Sequence, residues 1–306
     1  HCVLYGPQIA SDTDAVIGRL ARAGAEGCEL GERFFGVDDR DKLTAVLDSH
    51  HMTLAGMHCN NLTLQDLLHN PAKSRAALEK VAKFVAPLPD KNVIATGGCG
   101  DVQQLNGRLL SEGAADPELH EPKNAAIIAH NLNEIVRDIR AEYGVQVHYH
   151  NHSWEFCDNG LLWFALADQA PDVQFALDTG WALASGYDPV MLIERYPGRF
   201  GYVHLRDCKK AADPGAQTFS GVHKGFVDLG TGDMGYPRLM RCLDKALGAD
   251  GWAVVEYELG NFDENSYLRA LSYLHGGRDM LGPRPPRGPD RKGGRYHEKT
   301  ACGGDG

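Results

Sequence analysis

QFALDTGWALASGYDPVMLIERYPGRFGYVHLRD, residues 174–207, holds two short apolar runs with a helical pattern between them. Gln174–Leu177 and Gly201–Leu205 read as strands. Pro189–Tyr196 reads as a helix, opened by Asp188-Pro189 with proline at its first position. Two strands joined through a helix are parallel, because parallel neighbours need a crossover. Each strand runs out into polar residues: Asp178 after the first, His204-Leu205-Arg206-Asp207 at the end of the second.

The same unit recurs in both directions. Further strands are expected at Cys2–Tyr5, Gly27–Leu30, Thr53–Met57, Asn92–Thr96, Gln146–His150 and Ala253–Glu256. Helical patterns cover Asp12–Ala23, Arg40–His50, Pro71–Ala86, Lys123–Tyr143, Gly160–Gln169, Tyr236–Leu247 and Glu264–His275. Eight strands alternating with eight helices predict an α/β fold, a closed (β/α)8 TIM barrel over residues 1–282. A doubly wound open sheet is the alternative. It lacks the expected G-x-G-x-x-G after the first strand, where Tyr5-Gly6-Pro7-Gln8 stands instead. Gly97–Pro122 is long for a connection and falls where barrels build their sites, so it reads as a lid or as a surface insertion. Residues 283–306, rich in Pro, Gly and charge, read as a disordered basic tail.

Composition narrows the function classes. The chain has 306 residues, 43% of them hydrophobic and 24% charged, and a formal net charge of −10. An acidic body argues against a nucleic-acid partner and against an anionic membrane surface. No apolar run approaches the ~20 residues of a membrane helix. The chain opens on His1 without a signal-peptide pattern. The eight cysteines are scattered with no C-x-x-C pair, which suits reduced thiols in a cytoplasm.

In a barrel the working residues sit at the C-terminal ends of strands. Asp178, His204 and Glu256 follow apolar strand residues on three successive strands, so their side chains can converge on one ion. Carboxylates mixed with imidazoles suit Mn²⁺, Zn²⁺, Co²⁺ or Fe²⁺. The run HYHNHSWEF (148–156) adds His148, His150 and His152 at alternate positions, all on one face of a strand. Taken singly, an Asp or His at a strand end is as often a cap as a ligand. Four strands ending in ligand types at once is harder to read as capping. Glu258, Asp207, His58 and His223 read as supporting or surface groups.

These stretches, with ALDTGWALASGYDP (176–189), YVHLRDCK (202–209), DLGTGDMGYPRLM (228–240) and WAVVEYE (252–258), resemble the xylose-isomerase-like TIM-barrel superfamily. More specifically they resemble its sugar phosphate isomerase/epimerase-like group. GCELGERFFG (27–36) and LAGMHCNN (54–61) support the likeness more loosely. The resemblance implies one divalent ion held by Glu, Asp, His and Glu at successive strand ends. Asp178, His204 and Glu256 match the last three, and His150 stands at the place of the first. That departure removes one of the two opposed carboxylates that flank the substrate in the epimerases.

The activity implied is a metal-dependent isomerase or epimerase that abstracts a proton next to the carbonyl of a sugar or keto-sugar. A dehydratase or C-glycoside deglycosidase-type lyase is the nearest alternative. A non-catalytic sugar-binding barrel and an endonuclease-IV-like phosphodiesterase are more distant ones. His148 or Glu256 is expected as the base, with Glu155 in reserve. His58, Asn60, Trp154, Glu155, Trp181, Arg206 and Lys209 are expected to meet the substrate. Homo-oligomers are common in this group.

Overall fold

The computed structural model describes residues 1–99, 116–258 and 262–279. Most of the expected lid and the whole expected tail, 283–306, lie outside the described residues.

Seven strands form one parallel sheet that curls into a nearly closed TIM barrel. They are β1 (Gly27–Gly31), β2 (Thr53–Cys59), β3 (Asn92–Thr96), β4 (Gln146–His150), β5 (Gln174–Asp178) and β6 (Phe200–Leu205), followed after a rim ribbon by β9 (Trp252–Val255). The ribbon pairs β7 (Asp207–Cys208) antiparallel with β8 (Phe226–Val227). The strands are almost wholly buried and mostly apolar before their polar ends, as expected of parallel strands covered on both faces. Helices such as Pro71–Val85, Pro122–Tyr143 and Tyr236–Ala246 bury their apolar faces as the outer layer.

One expected strand is corrected. Cys2–Tyr5 is a 3-10 turn, not a strand. Gly6, at φ 52°, closes its N–H back onto Val3 O, so the backbone bonds are satisfied locally rather than in a ladder. Among the described residues β1 and β9 therefore share no ladder. The turn lies against β1 instead, and the amino group of His1 donates to Val255 O at 2.7 Å.

The helix expected from Gly160 does run regularly from there. Asp158, Asn159 and Gly160 are all left-handed, which separates it from the turn at Trp154–Phe156. Gly144 ends the long Pro122–Tyr143 helix in the left-handed conformation expected of a C-terminal glycine.

Inside the barrel, Ala55, Ile94, Ala176, Tyr202, Trp252 and Val254 pack into a small cluster of their own. This plug fills the lumen beneath the polar strand ends. Register sets what stands above it: Asp178 pairs with His204, and His204 pairs with Val254, two residues before Glu256.

Candidate metal and substrate site

His150, Asp178, His204 and Glu256 come together at the ends of β4, β5, β6 and β9. Each offers a ligand atom, and these atoms lie within 4.8 Å of one another. All four side chains are buried. Each also carries a buried polar atom without a hydrogen-bond partner: His150 Nδ1, Asp178 Oδ2, His204 Nδ1 and Glu256 Oε2. Burying a polar atom without a hydrogen bond is costly, and four such atoms in one cluster suit a cation. Two imidazoles and two carboxylates are a donor set for a transition metal or Mg²⁺, so these residues could hold a divalent ion.

The other atoms of the four are tied down. Asp178 Oδ1 accepts from the Trp181 N–H at 2.9 Å, capping the helix Thr179–Ala184. Asn151 clamps the Asp178 backbone, accepting its N–H at 3.0 Å. His204 Nε2 lies 2.6 Å from Glu29 Oε2.

Arg206 supplies the positive charge. Its Nε stands 2.8 Å from Asp178 Oδ2, Nη2 2.9 Å from Glu256 Oε1 and Nη1 3.2 Å from Glu258 Oε2. Only the last of these is an aligned hydrogen bond; the first two are charge contacts, since Nε and Nη2 have no hydrogen-bonding partner. The guanidinium also sits over the rings of Trp181 and Phe226.

Burial would raise Glu256, but Arg206 and then His204 outweigh it and hold its carboxyl well below the usual range. Burial pushes Asp178 up to about 7, with Arg206 opposing. Burial would lower His204, but Glu29 and Glu256 on its two sides hold it well above the usual histidine value.

The three alternate histidines occupy three depths. The His150 ring lies 4.5 Å from the His204 ring, in the layer of candidate ligands. His148 lies one layer down, 5.4 Å from the Tyr202 ring, with Nε2 bonded to Asn92 Oδ1 at 3.0 Å. It stands beside the apolar plug and outside the ligand cluster. The expected base role therefore does not fit His148: alternation gives the face of a strand, and the position along it gives the depth. His152 lies on the mouth side, stacked on Trp154 at 4.2 Å with Nδ1 unpartnered. Burial pushes both His148 and His152 down to about 3, so both are neutral.

The remaining expected contacts divide. Trp181 and Trp154 are buried, and Phe219 stacks on both. Trp154 Nε1 donates to Gly97 O at 3.1 Å. Glu155 turns away: it accepts from the Tyr149 hydroxyl and the His152 N–H, both at 2.8 Å, and pins the turn after β4. Lys209 is exposed, beside Asp233 at 3.4 Å. Asn60 is exposed and its backbone N–H is held by Glu32. His58 is committed on both ring nitrogens, to Glu29 at 2.9 Å and Thr96 at 2.8 Å.

Glu29 was not among the expected site residues, yet it is fully buried at the centre of these contacts. The signal available in the sequence was an acid in the middle of GCELG, a strand otherwise free of charge, where an unpaired carboxylate would be very costly.

The family model described as xylose isomerase-like TIM barrel matches residues 17–275. The chain is similar to an inosose dehydratase of Lacticaseibacillus casei, 26% identical over 281 residues, covering 85% of this chain and 88% of the relative. In fold it is similar to a sugar phosphate isomerase/epimerase from Parabacteroides distasonis, with TM-score 0.64, 21% identity and 88% and 90% of the two chains covered. It also resembles a xylose isomerase-like TIM barrel protein from Mycobacterium smegmatis, solved in complex with magnesium, with TM-score 0.67, 14% identity and 89% and 90% covered.

Proposed function

Because the chain belongs to the xylose isomerase-like TIM-barrel family, we propose that it is a divalent-metal-dependent enzyme acting on a sugar or keto-sugar. In this reading it removes the proton beside a carbonyl and expels a neighbouring hydroxyl as water. The observation that carries the reading is the convergence of four buried side chains, each with an unpartnered atom, at the barrel mouth. The inosose dehydratase relative favours loss of water over the isomerase outcome that the sequence led us to expect.

His150, Asp178, His204 and Glu256 would hold the ion. Bound there, a divalent ion supplies Lewis-acid polarisation of the carbonyl. Arg206 offsets the charge of Asp178 and Glu256, so both carboxylates can stand side by side in a buried site. Glu256 has Oε1 beside His1 Nδ1 and Arg206 and Oε2 facing His204, which leaves it poorly free to act as a base. His152 is better placed: neutral, with Nδ1 unpartnered, on the mouth side of the ligand layer. Its Nδ1 takes the α-proton. Trp154 and Trp181, buried against Phe219, would back the wall of the site from behind.

The test is metal analysis of the purified protein followed by incubation with a keto-inositol in D₂O, with products read by NMR. An unsaturated or rearranged diketone from loss of water supports the proposal. Deuterium uptake at the α-carbon with all hydroxyls retained would assign an isomerase or epimerase instead. No exchange with any keto-sugar would overturn the enzymatic reading.

A further inference from the structure

We infer that Glu29 is a positioning residue for the metal site: its carboxylate fixes the His204 tautomer and so leaves Nδ1 as the lone pair that faces the ion. The inference rests on the metal reading above.

Glu29 stands on β1, far from the four candidate ligands in sequence and beside only one of them in space. Its carboxylate receives three donors. His204 Nε2 lies 2.6 Å from Oε2, the Tyr202 hydroxyl donates to Oε2 at 2.8 Å, and His58 Nδ1 lies 2.9 Å from Oε1. No Lys or Arg is bonded to it among the described residues. An ionised carboxylate only accepts. The proton on this edge of His204 must therefore sit on Nε2, and a neutral ring then carries its lone pair on Nδ1. That atom lies 2.7 Å from Glu256 Oε2, and neither has an aligned hydrogen-bond partner. A proton or a cation must stand between two such atoms, and a bound divalent ion would take the proton's place.

Without Glu29 the other tautomer becomes available. Nδ1–H would then donate to Glu256 Oε2, and the two ligands would satisfy each other and compete with the metal. The rest of the local packing protects the carboxylate's position. Gly56 on β2 has no Cβ; one built there would lie 2.9 Å from Ile94 Cδ1 and 3.1 Å from the Tyr202 hydroxyl that holds Glu29. His58 is anchored behind by Thr96.

The experiment is Co²⁺ binding by chelator competition and visible absorption, on wild-type protein, Glu29→Gln and Tyr202→Phe. Glutamine keeps the size but offers one acceptor oxygen to three donors. Loss of such a partner typically weakens metal affinity about 10–100-fold, and that increase in Kd, with an altered ligand-field spectrum, is expected for Glu29→Gln. Tyr202→Phe removes a donor to the same carboxylate but leaves the Glu29–His204 contact, so its Kd should rise clearly less than that of Glu29→Gln. An unchanged Kd and spectrum in Glu29→Gln overturns the inference alone, as does an equal loss in Tyr202→Phe. Wild-type protein that binds no Co²⁺ overturns the metal reading and the inference together. If Glu29→Gln does not fold, wild-type protein labelled with ¹⁵N-histidine and loaded with ¹¹³Cd decides. Coupling at His204 Nδ1 with the proton on Nε2 supports the inference, and coupling at Nε2 overturns it.

Discussion

Arg206 Nε stands 2.8 Å from Asp178 Oδ2, with both side chains buried at neighbouring strand ends. The sequence suggested that this arginine would reach for substrate. The structure turns it inward, where it faces Asp178, Glu256 and Glu258 together. Removing one partner of a buried charge pair costs about 3–5 kcal/mol, because the other charge is stranded. Arg206→Leu should therefore lower unfolding stability by that order in metal-free protein, read by urea titration. Added divalent ion should restore part of the loss, since it supplies the missing positive charge. A variant as stable as wild type would show that the carboxylates there are protonated.

The four candidate ligands should behave as a set. His150→Ala, Asp178→Ala, His204→Ala and Glu256→Ala should each lower bound metal after reconstitution and dialysis, measured by elemental analysis. Full occupancy in any one of them removes that residue from the site.

His148 and His152 should separate. His152→Ala should keep the metal and lose exchange of the substrate α-proton by about 10²–10⁴-fold, the usual contribution of a positioned base. His148→Ala should keep the metal and lower the melting temperature, because it opens a cavity beside Tyr202 and leaves Asn92 Oδ1 unpaired. Loss of exchange in the second variant with exchange retained in the first would reverse the assignment.

Acid stability should carry the signature of His148. Its folded pKa is depressed to about 3 by burial, against 6.5 for the ordinary side chain. The unfolded chain therefore takes up a proton that the folded one refuses. The stabilisation is complete above pH ~6.5 and fades as pH falls towards 3, at a limiting slope of about 1.4 kcal/mol per pH unit. Between pH 6.5 and 4.5, His148→Leu should lose stability less steeply than wild type in parallel urea titrations. Identical slopes would show that the ring is charged in the fold.

Asp207 should act on the rim rather than on the chemistry. Its carboxylate accepts the backbone N–H groups of Cys208, Gly230, Gly232 and Met234 at 2.9–3.1 Å. A Cβ at Gly232 would lie 2.1 Å from Oδ1, so the loop closes this tightly only around glycine. Asp207→Ala should speed hydrogen exchange across residues 228–234 while metal content stays unchanged. Unaltered protection would mean that the loop is held by other contacts.

Much of the barrel follows from the sequence alone. Short apolar runs separated by amphipathic ones dictate parallel strands with helical crossovers, and the strands from β1 through β6 and β9 lie within a residue or two of their expected positions. Asp178, His204 and Glu256 were legible for the same reason: a polar residue closing an apolar strand can only stand at the mouth. Cys2–Tyr5 was misread because four apolar residues satisfy a strand pattern, while Gly6 lets the backbone close on itself.

Depth and partnership were decided only by the tertiary structure. The period of a strand tells which face a side chain takes, so His148, His150 and His152 look equivalent in sequence. Strand register then places one beside the plug, one among the candidate ligands and one on the mouth side. Glu29 reaches His204 across 175 residues of chain. No local pattern encodes such a contact, because it exists only once the sheet has curled and brought its β1 edge near β6 and β9. Arg206 likewise carries no mark of its direction in the sequence. It faces inward because buried carboxylates at the same depth demand a cation, and that demand arises only after the strands have assembled.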